Sequence, residues 1–271
     1  LNYQELNNWF TIYKPDVVII AAAKVGGIQA NKNYPADFLL ENLTIQNNLI
    51  SIAWKKNVRR LLFLGSSCIY PKISAQPIEE EYLLNGALEK TNESYALAKI
   101  AGIKLCESLR NQYKFDAISC MPSNLYGPFD NYNYDNSHVL PALIRKFSEA
   151  KYENKKEVVC WGSGTPLREF LHVDDLADAC LFLLKNWIPE DNFNKIESNL
   201  TPLNWINVGT GKEISIKDLA ELIKDFIGYE GKISWDKSKP DGTLKKKLSV
   251  KKINSLGWSS KIKLKDGIKA T

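Results

Sequence analysis

No apolar run in this sequence approaches the ~18 residues that a membrane span requires. The longest, VVIIAAA from Val17 to Ala23, is strand-sized, so no membrane contact is expected. The opening LNYQELNNWF has neither the basic region nor the apolar core of a secretory signal. Cysteine is scarce and odd in number, with five residues and no C-x-x-C spacing. That argues against a disulfide framework and a zinc site, and a reducing cytoplasm fits best. Histidine is scarcer still, with His138 and His172 alone. The net charge is a modest +5, and much of the excess lies in KPDGTLKKKLSVKK, Lys239 to Lys252. Such a run reads as a solvated face or as a contact for an anionic small molecule. Its basic residues are not interleaved with aromatic ones and no recognition motif accompanies them, so nucleic acid is not expected as a partner.

What is present is an alternation of strand-like and helix-like segments over 271 residues, long enough for a full core. DVVIIAAA reads as a strand, DFLLENLTIQNNLISIAWKK as a helix, RRLLFLGSS as a strand, SYALAKIAGIKLCESLRNQY as a helix and FDAISCMPSNLYG as a strand. This predicts an α/β fold, a doubly wound parallel sheet covered by helices, over residues 1–130. After about Asn131 the rhythm loosens. Short strands (VVCW, WINV, KISW) mix with helices (DDLADACLFLLKN, SIKDLAELIKDFIG), which predicts a smaller α/β lobe over 131–271, with some segments returning to the first sheet.

A dinucleotide-binding sheet opens with a strand and a Gly-rich turn onto a helix N-terminus, where the pyrophosphate sits. No G-x-x-G-x-x-G occurs here. The one look-alike, Gly209-Thr210-Gly211 between WINV and ISIKDLAELI, reads as a plain turn.

The stretch FLGSSCIYPK delivers Ser66, Ser67 and Cys68 to the carboxyl end of a buried strand, where open α/β sheets keep their chemistry. In YALAK, Tyr95 and Lys99 are four apart on one helix face, with Ala98, Ala101 and Leu105 on an apolar stripe. A phenol titrates near ~10 unperturbed, and a neighbouring ammonium is expected to lower that value, giving a proton donor or acceptor near neutrality. A strand ending MPSNLYGP follows. A strand-end hydroxyl, then Tyr and Lys on the next helix, then a Pro- and Asn-containing strand end form a constellation in a fixed order. His172, in EFLHVDD, reads as structural, with Asp174 and Asp175 starting a helix.

Together with AAAKVGGI, TNESYALAKIAGIKLCESL, NSHVLPALIRKF, WGSGTPLREFLHVDDLA, INVGTG and KPDGT, these stretches resemble the extended short-chain dehydrogenase/reductases and, within them, the GDP-L-fucose synthases, essentially end to end. The resemblance implies a Rossmann-type NADP-binding domain and a substrate lobe, NADP(H) as cofactor, GDP-4-keto-6-deoxy-D-mannose as substrate, and a homodimer that pairs helices. It implies two steps, inversion at the two carbons flanking the C4 ketone and reduction of that ketone. By resemblance Cys68 is the base and His138 the acid of the inversions, Ser66 and Tyr95 stabilise the enolate oxygen, Tyr95 protonates the C4 oxygen, and Lys99 holds the cofactor ribose. Leu64, Gly65, Ser66, Ser67, Lys99, Pro122, Ser123, Asn124, Leu125 and His138 line the cofactor. Lys146, Trp161, Arg168, Asp241 and Lys246 face the nucleotide sugar. No metal is implied.

Bland readings stand beside these. Cys68 is otherwise a small buried hydrophobe, Trp161 lobe core, Lys146 a solvated helix residue and Ser67 a turn former. The resemblance begins past the family's Gly-rich turn, so a first βαβ unit of at least ~30 residues and a closing helix are expected to be missing, with weak NADPH binding as the consequence. Two other readings remain. A nucleotide-sugar dehydratase or 4-epimerase is expected to carry an acidic pair where this chain has Ser67 and Cys68. A non-catalytic nucleotide-sugar-binding module has no need of the full set Ser66, Cys68, Tyr95, Lys99 and His138.

Overall fold

Asn2 caps the first helix, its side chain accepting from the Gln4 amide at 3.0 Å, and α1 (Tyr3–Tyr13) leads into β1 (Val17–Ile20). In the computed structural model, which describes residues 2–134, 136–192, 202–239 and 241–271, the chain continues through α2 (Ile28–Asn33), α3 (Pro35–Lys55), β2 (Arg60–Leu64), α4 (Glu93–Tyr113) and β3 (Ala117–Pro122). Pro at the start of α3 costs no hydrogen bond, because the first helical amides have no partner within the helix. Next come β4 (Asn124–Tyr126), α5 (Val139–Tyr152), β5 (Glu157–Trp161), β6 (Leu167–Arg168), β7 (Phe170–His172) and α6 (Val173–Asn186). The last third holds β8 (Trp205–Val208), β9 (Ile214–Ser215), α7 (Ile216–Ile227), β10 (Lys232–Asp236), β11 (Lys245–Lys246), α8 (Lys251–Ser255) and α9 (Leu264–Ala270).

Strands β1, β2, β3 and β8 lie side by side in that order, all parallel. Alternation along β2 serves both faces. Leu61 and Phe63 enter one apolar core with Ile103 of α4 and Ile50 of α3, whereas Leu62 enters a second with Ile118, Cys120 and Leu183 of α6. Trp205–Val208 is the segment of the later half that returns to this sheet. A third core, with Phe147, Phe170 and Ile223, lies among α5, β7 and α7. None of the helices among the described residues is long and apolar enough to cross a membrane.

The sequence departs from expectation in two places that matter to the site. FDAISCMPSNLYG, expected as one strand, is two. The Ser123 amide makes the last contact with Val208 at 3.0 Å, and the Asn124 amide already donates to the Glu169 carbonyl, because β8 turns away after Val208 and the chain changes partner to β7. Beyond β2 the backbone does not stay extended either. Ser67–Ile69 form a 3-10 turn capped by Ser66, whose hydroxyl accepts from the Cys68 amide at 3.2 Å.

Candidate active site

The carboxyl ends of β2 and β3 converge on one region, since Leu64 is in register with Cys120. Gly65 closes this floor where no larger residue fits, a Cβ there falling 2.2 Å from the Met121 sulfur. Ser67 is buried as the first residue of the 3-10 turn, and so it does turn the chain. The turn swings Cys68 away from the strand line expected for it. Cys68 is the partly exposed thiol of the chain, the other four cysteines being buried, and it lines a small depression with Tyr70, Gln76, Glu89, Lys245 and Lys246. The bland reading of Cys68 as a buried hydrophobe does not hold.

On α4, Tyr95 lies beside the Ser66 hydroxyl and packs edge-on against Phe38 of α3, with ring centroids 6.4 Å apart. Burial raises the Tyr95 phenol well above its ordinary value; a Cys68 thiolate pushes the same way and the neighbouring Ser66 hydroxyl opposes it. The expected lowering by Lys99 is therefore overturned. The Lys99 ammonium sits 5.9 Å from the Tyr95 ring centroid, but it donates to the Leu64 carbonyl at 2.9 Å and lies 4.8 Å from the Phe63 ring. Its own pKa is lowered to about 8 by burial, with Cys120 the weaker opposing influence. Tyr95 is thus a neutral phenol and Lys99 a cation close to its titration point.

Arg168 ends β6 and is held by the Leu167 and Asp241 carbonyls at 2.8 and 3.5 Å. Burial lowers its pKa, and Cys68 lies near enough for a thiolate there to raise it, so Cys68 is within electrostatic reach of both Tyr95 and Arg168. Lys246 is in parallel register with Arg168. Trp161, 56% exposed at the end of β5, is not lobe core. The Lys146 ammonium lies 5.5 Å from its ring centroid while donating to the Val159 carbonyl at 3.0 Å. Lys146 is half-buried, and desolvation lowers its pKa, so it is not a freely solvated residue. The Lys239 ammonium lies 5.4 Å from the same ring, a second cation that motif reasoning passed over. Asp241 turns inward. Its carboxylate accepts from the Ser163 amide at 2.6 Å and pairs with the Ser163 hydroxyl at 2.8 Å. Pro240 of the KPDGT stretch lies outside the described residues.

His138 caps α5 through its backbone and is exposed, yet nearby protein desolvates the imidazole enough to lower its pKa, with Asp130 opposing. Among the described residues no hydrogen bond, ion pair or ring contact joins it to Cys68 or Tyr95. Its approach is set by the preceding residue pair, for Gly27 donates to the Asn136 carbonyl at 3.1 Å and leaves no room for a Cβ against the Ser137 carbonyl, 2.7 Å away. His172 is structural as expected; its Nδ1 accepts from the Asp174 amide at 3.2 Å and caps α6.

The residues at the strand ends fit the nicotinamide and ribose of a dinucleotide. Ser123, beyond β3, is buried with a hydroxyl that finds no partner, and the Lys99 ammonium spends one donor on Leu64 and keeps two. Asn124 is committed to the Glu169 carbonyl through its side chain at 2.8 Å, so it and Leu125 contribute mainly the wall of the site. Sequence reasoning also missed Phe38, which no motif flags, and Glu169, whose partners are far along the chain.

Residues 1–194 match the NAD dependent epimerase/dehydratase family. The chain belongs to that family. Within it, this family member is 57% identical over 267 residues to putative GDP-L-fucose synthase 2 of Arabidopsis thaliana, covering 98% of this chain and 77% of the relative. It is 50% identical to the GDP-L-fucose synthase of Escherichia coli K12, covering 100% of this chain and 83% of the relative. The crystal structure of a GDP-L-fucose synthetase from Naegleria fowleri bound to NADP superposes with a TM-score of 0.84 at 30% identity, over 100% of this chain and 80% of that one. The expected loss of a first βαβ unit is not borne out by these matches, which cover 98 to 100% of this chain.

Proposed function

We propose that this family member is an NADPH-dependent epimerase/reductase that converts GDP-4-keto-6-deoxy-D-mannose to GDP-L-fucose. The observation that carries the reading is the convergence of Ser66, Cys68 and Tyr95 beside Arg168, on the side of the sheet where strand ends carry chemistry. When bound along Ser123 and Lys99, NADPH would supply the hydride for the C4 carbon. The protein's own residues do the rest. Cys68 removes the protons α to the ketone, which become acidic when the enolate oxygen is held by hydroxyl donors, and Tyr95 and Ser66 are such donors. His138, by the family resemblance, returns the proton on the opposite face. Tyr95, kept neutral by its surroundings, gives its proton to the C4 oxygen, and Lys99 holds the ribose. Trp161 with Lys146 takes the base and diphosphate end, and Arg168 and Lys246 complete a cationic edge for the diphosphate. The absence of an acidic pair at Ser67 and Cys68 separates this site from that expected of a dehydratase.

The substrate in deuterated water tests both halves. With the parent chain and no NADPH, deuterium enters C3 and C5; with NADPH, GDP-L-fucose forms; with Cys68→Ser, deuterium entry is lost. Reduction at C4 without deuterium uptake by the parent would leave a simple 4-reductase. We place the protein in the cytoplasm and as a homodimer, on the strength of the cysteine pattern and the family resemblance.

A further inference from the structure

The Gly209-Thr210-Gly211 turn has the backbone shape that binds anions, and it is already filled from within. The carboxylate of Glu169, fully buried between β6 and β7, accepts from the Thr210 and Gly211 amides at 2.6 and 2.8 Å through Oε1 and from the Leu248 amide at 2.9 Å through Oε2. A Cβ on Gly209 would fall 2.1 Å from Oε1, so the glycine is required by the carboxylate passing over it. The Glu169 carbonyl meanwhile receives both the amide and the side chain of Asn124, at 3.2 and 2.8 Å. One residue therefore touches the strand end beside the cofactor wall, the turn after β8 and the segment carrying Lys245 and Lys246. That segment is also held by Leu167 and Arg168 of β6, by an ion pair from Lys245 to Glu213 at 3.3 Å, and by Gln76 and Ile78, but Glu169 is the residue that ties it to the turn after β8.

We infer that Glu169 is a positioning residue, which fixes the Lys246-bearing segment against Arg168 and so sets the cationic edge that receives the nucleotide diphosphate. It touches neither substrate nor reacting atoms. The inference rests on the functional reading above for the identity of the ligand, but the clamp itself does not.

Glu169→Gln isolates the clamp. The carboxamide oxygen still accepts from Thr210 and Gly211, whereas its NH2 faces the Leu248 amide, donor against donor. Amide hydrogen exchange and GDP affinity by calorimetry, measured on the full chain, are the readouts. Exchange at Leu248 is expected to quicken about tenfold or more, with exchange along Ala117–Pro122 unchanged, and the Kd for GDP to rise about tenfold. Gly209→Ala, which displaces the carboxylate from the other side, is expected to reproduce the weaker GDP binding and serves if the first variant fails to fold. Unchanged exchange at Leu248 in Glu169→Gln overturns the clamp, and faster exchange with unchanged GDP affinity overturns the positioning role. Equal loosening of Ala117–Pro122 would mean that Glu169 supports the fold as a whole, and would overturn the inference too. Failure of the parent chain to bind GDP strikes the functional reading instead, and is seen before any variant is compared.

Discussion

The Lys99 ammonium is bound to the Leu64 carbonyl at 2.9 Å rather than to the Tyr95 oxygen. The helix spacing that brings Tyr95 and Lys99 together therefore does not make them an acid–base pair. It places a cation at the end of β2 and a half-buried phenol one turn away.

Lys99 titrates low, near 8, because burial penalises its charged form. Its folded value lies below the unfolded one, so between about 8 and the ordinary value of 10.5 the unfolded chain holds a proton that the folded chain has released. Stability from this group is missing below pH 8 and is gained as pH rises through that window. Unfolding free energies of the parent against Lys99→Met, measured from pH 7.5 to 10.5, are expected to diverge in the parent's favour by up to about 3 kcal/mol. A difference that stays flat would mean that the lysine is not desolvated.

Tyr95→Phe removes the proton donor without changing the packing against Phe38. Ketone reduction is expected to fall by about 10² to 10⁴ while deuterium entry at C3 and C5 persists at a reduced rate, with Ser66 still present. Equal loss of both activities would give Tyr95 a different role.

For His138 the sign follows from its lowered pKa. The imidazolium is the minor form at neutral pH, so the ratio of exchange in the parent to exchange in His138→Asn is expected to fall as pH rises from 5 to 7.5. His138→Asn is expected to be slower than the parent throughout, with the gap widest at pH 5, which paired pH–rate profiles of exchange check.

Trp161 is exposed beneath two ammonium groups, a surface for a base and its phosphates. Trp161→Ala is expected to raise KM for the nucleotide sugar about tenfold with kcat little changed, measured by initial rates at saturating NADPH.

Gly102 of α4 gives a stability prediction of unusual sign. In an open helix Gly→Ala stabilises by about 1 kcal/mol. Here the added Cβ would meet the Phe63 ring at 2.6 Å and the Gln46 side chain at 3.0 Å. Gly102→Ala is expected to destabilise by about 1 to 3 kcal/mol, read as a lower urea midpoint.

The parallel sheet was legible because its strands are continuous apolar runs, and Tyr95 and Lys99 because helix spacing is periodic. The 3-10 turn that carries Cys68 was not, since it depends on Ser66 capping an amide two residues on, a choice open to any serine at a strand end. The Tyr95 pKa was misjudged for a related reason. Sequence shows that an ammonium is near, but neither the desolvation that raises the phenol nor the Leu64 carbonyl 35 residues away that claims the ammonium. Glu169 was invisible because its amide partners lie 41, 42 and 79 residues further along the chain. Local pattern thus reports elements, whereas the commitments of polar groups depend on which distant segments the elements bring together.

Four buried thiols and one partly exposed one give the chain a built-in handle. A bulky alkylating reagent meets Cys68 first, with no need to engineer the others away. Labelling stoichiometry then counts competent sites, and the reporter occupies the same position as the proposed base. Protection of that single label by added nucleotide sugar would register occupancy without any turnover.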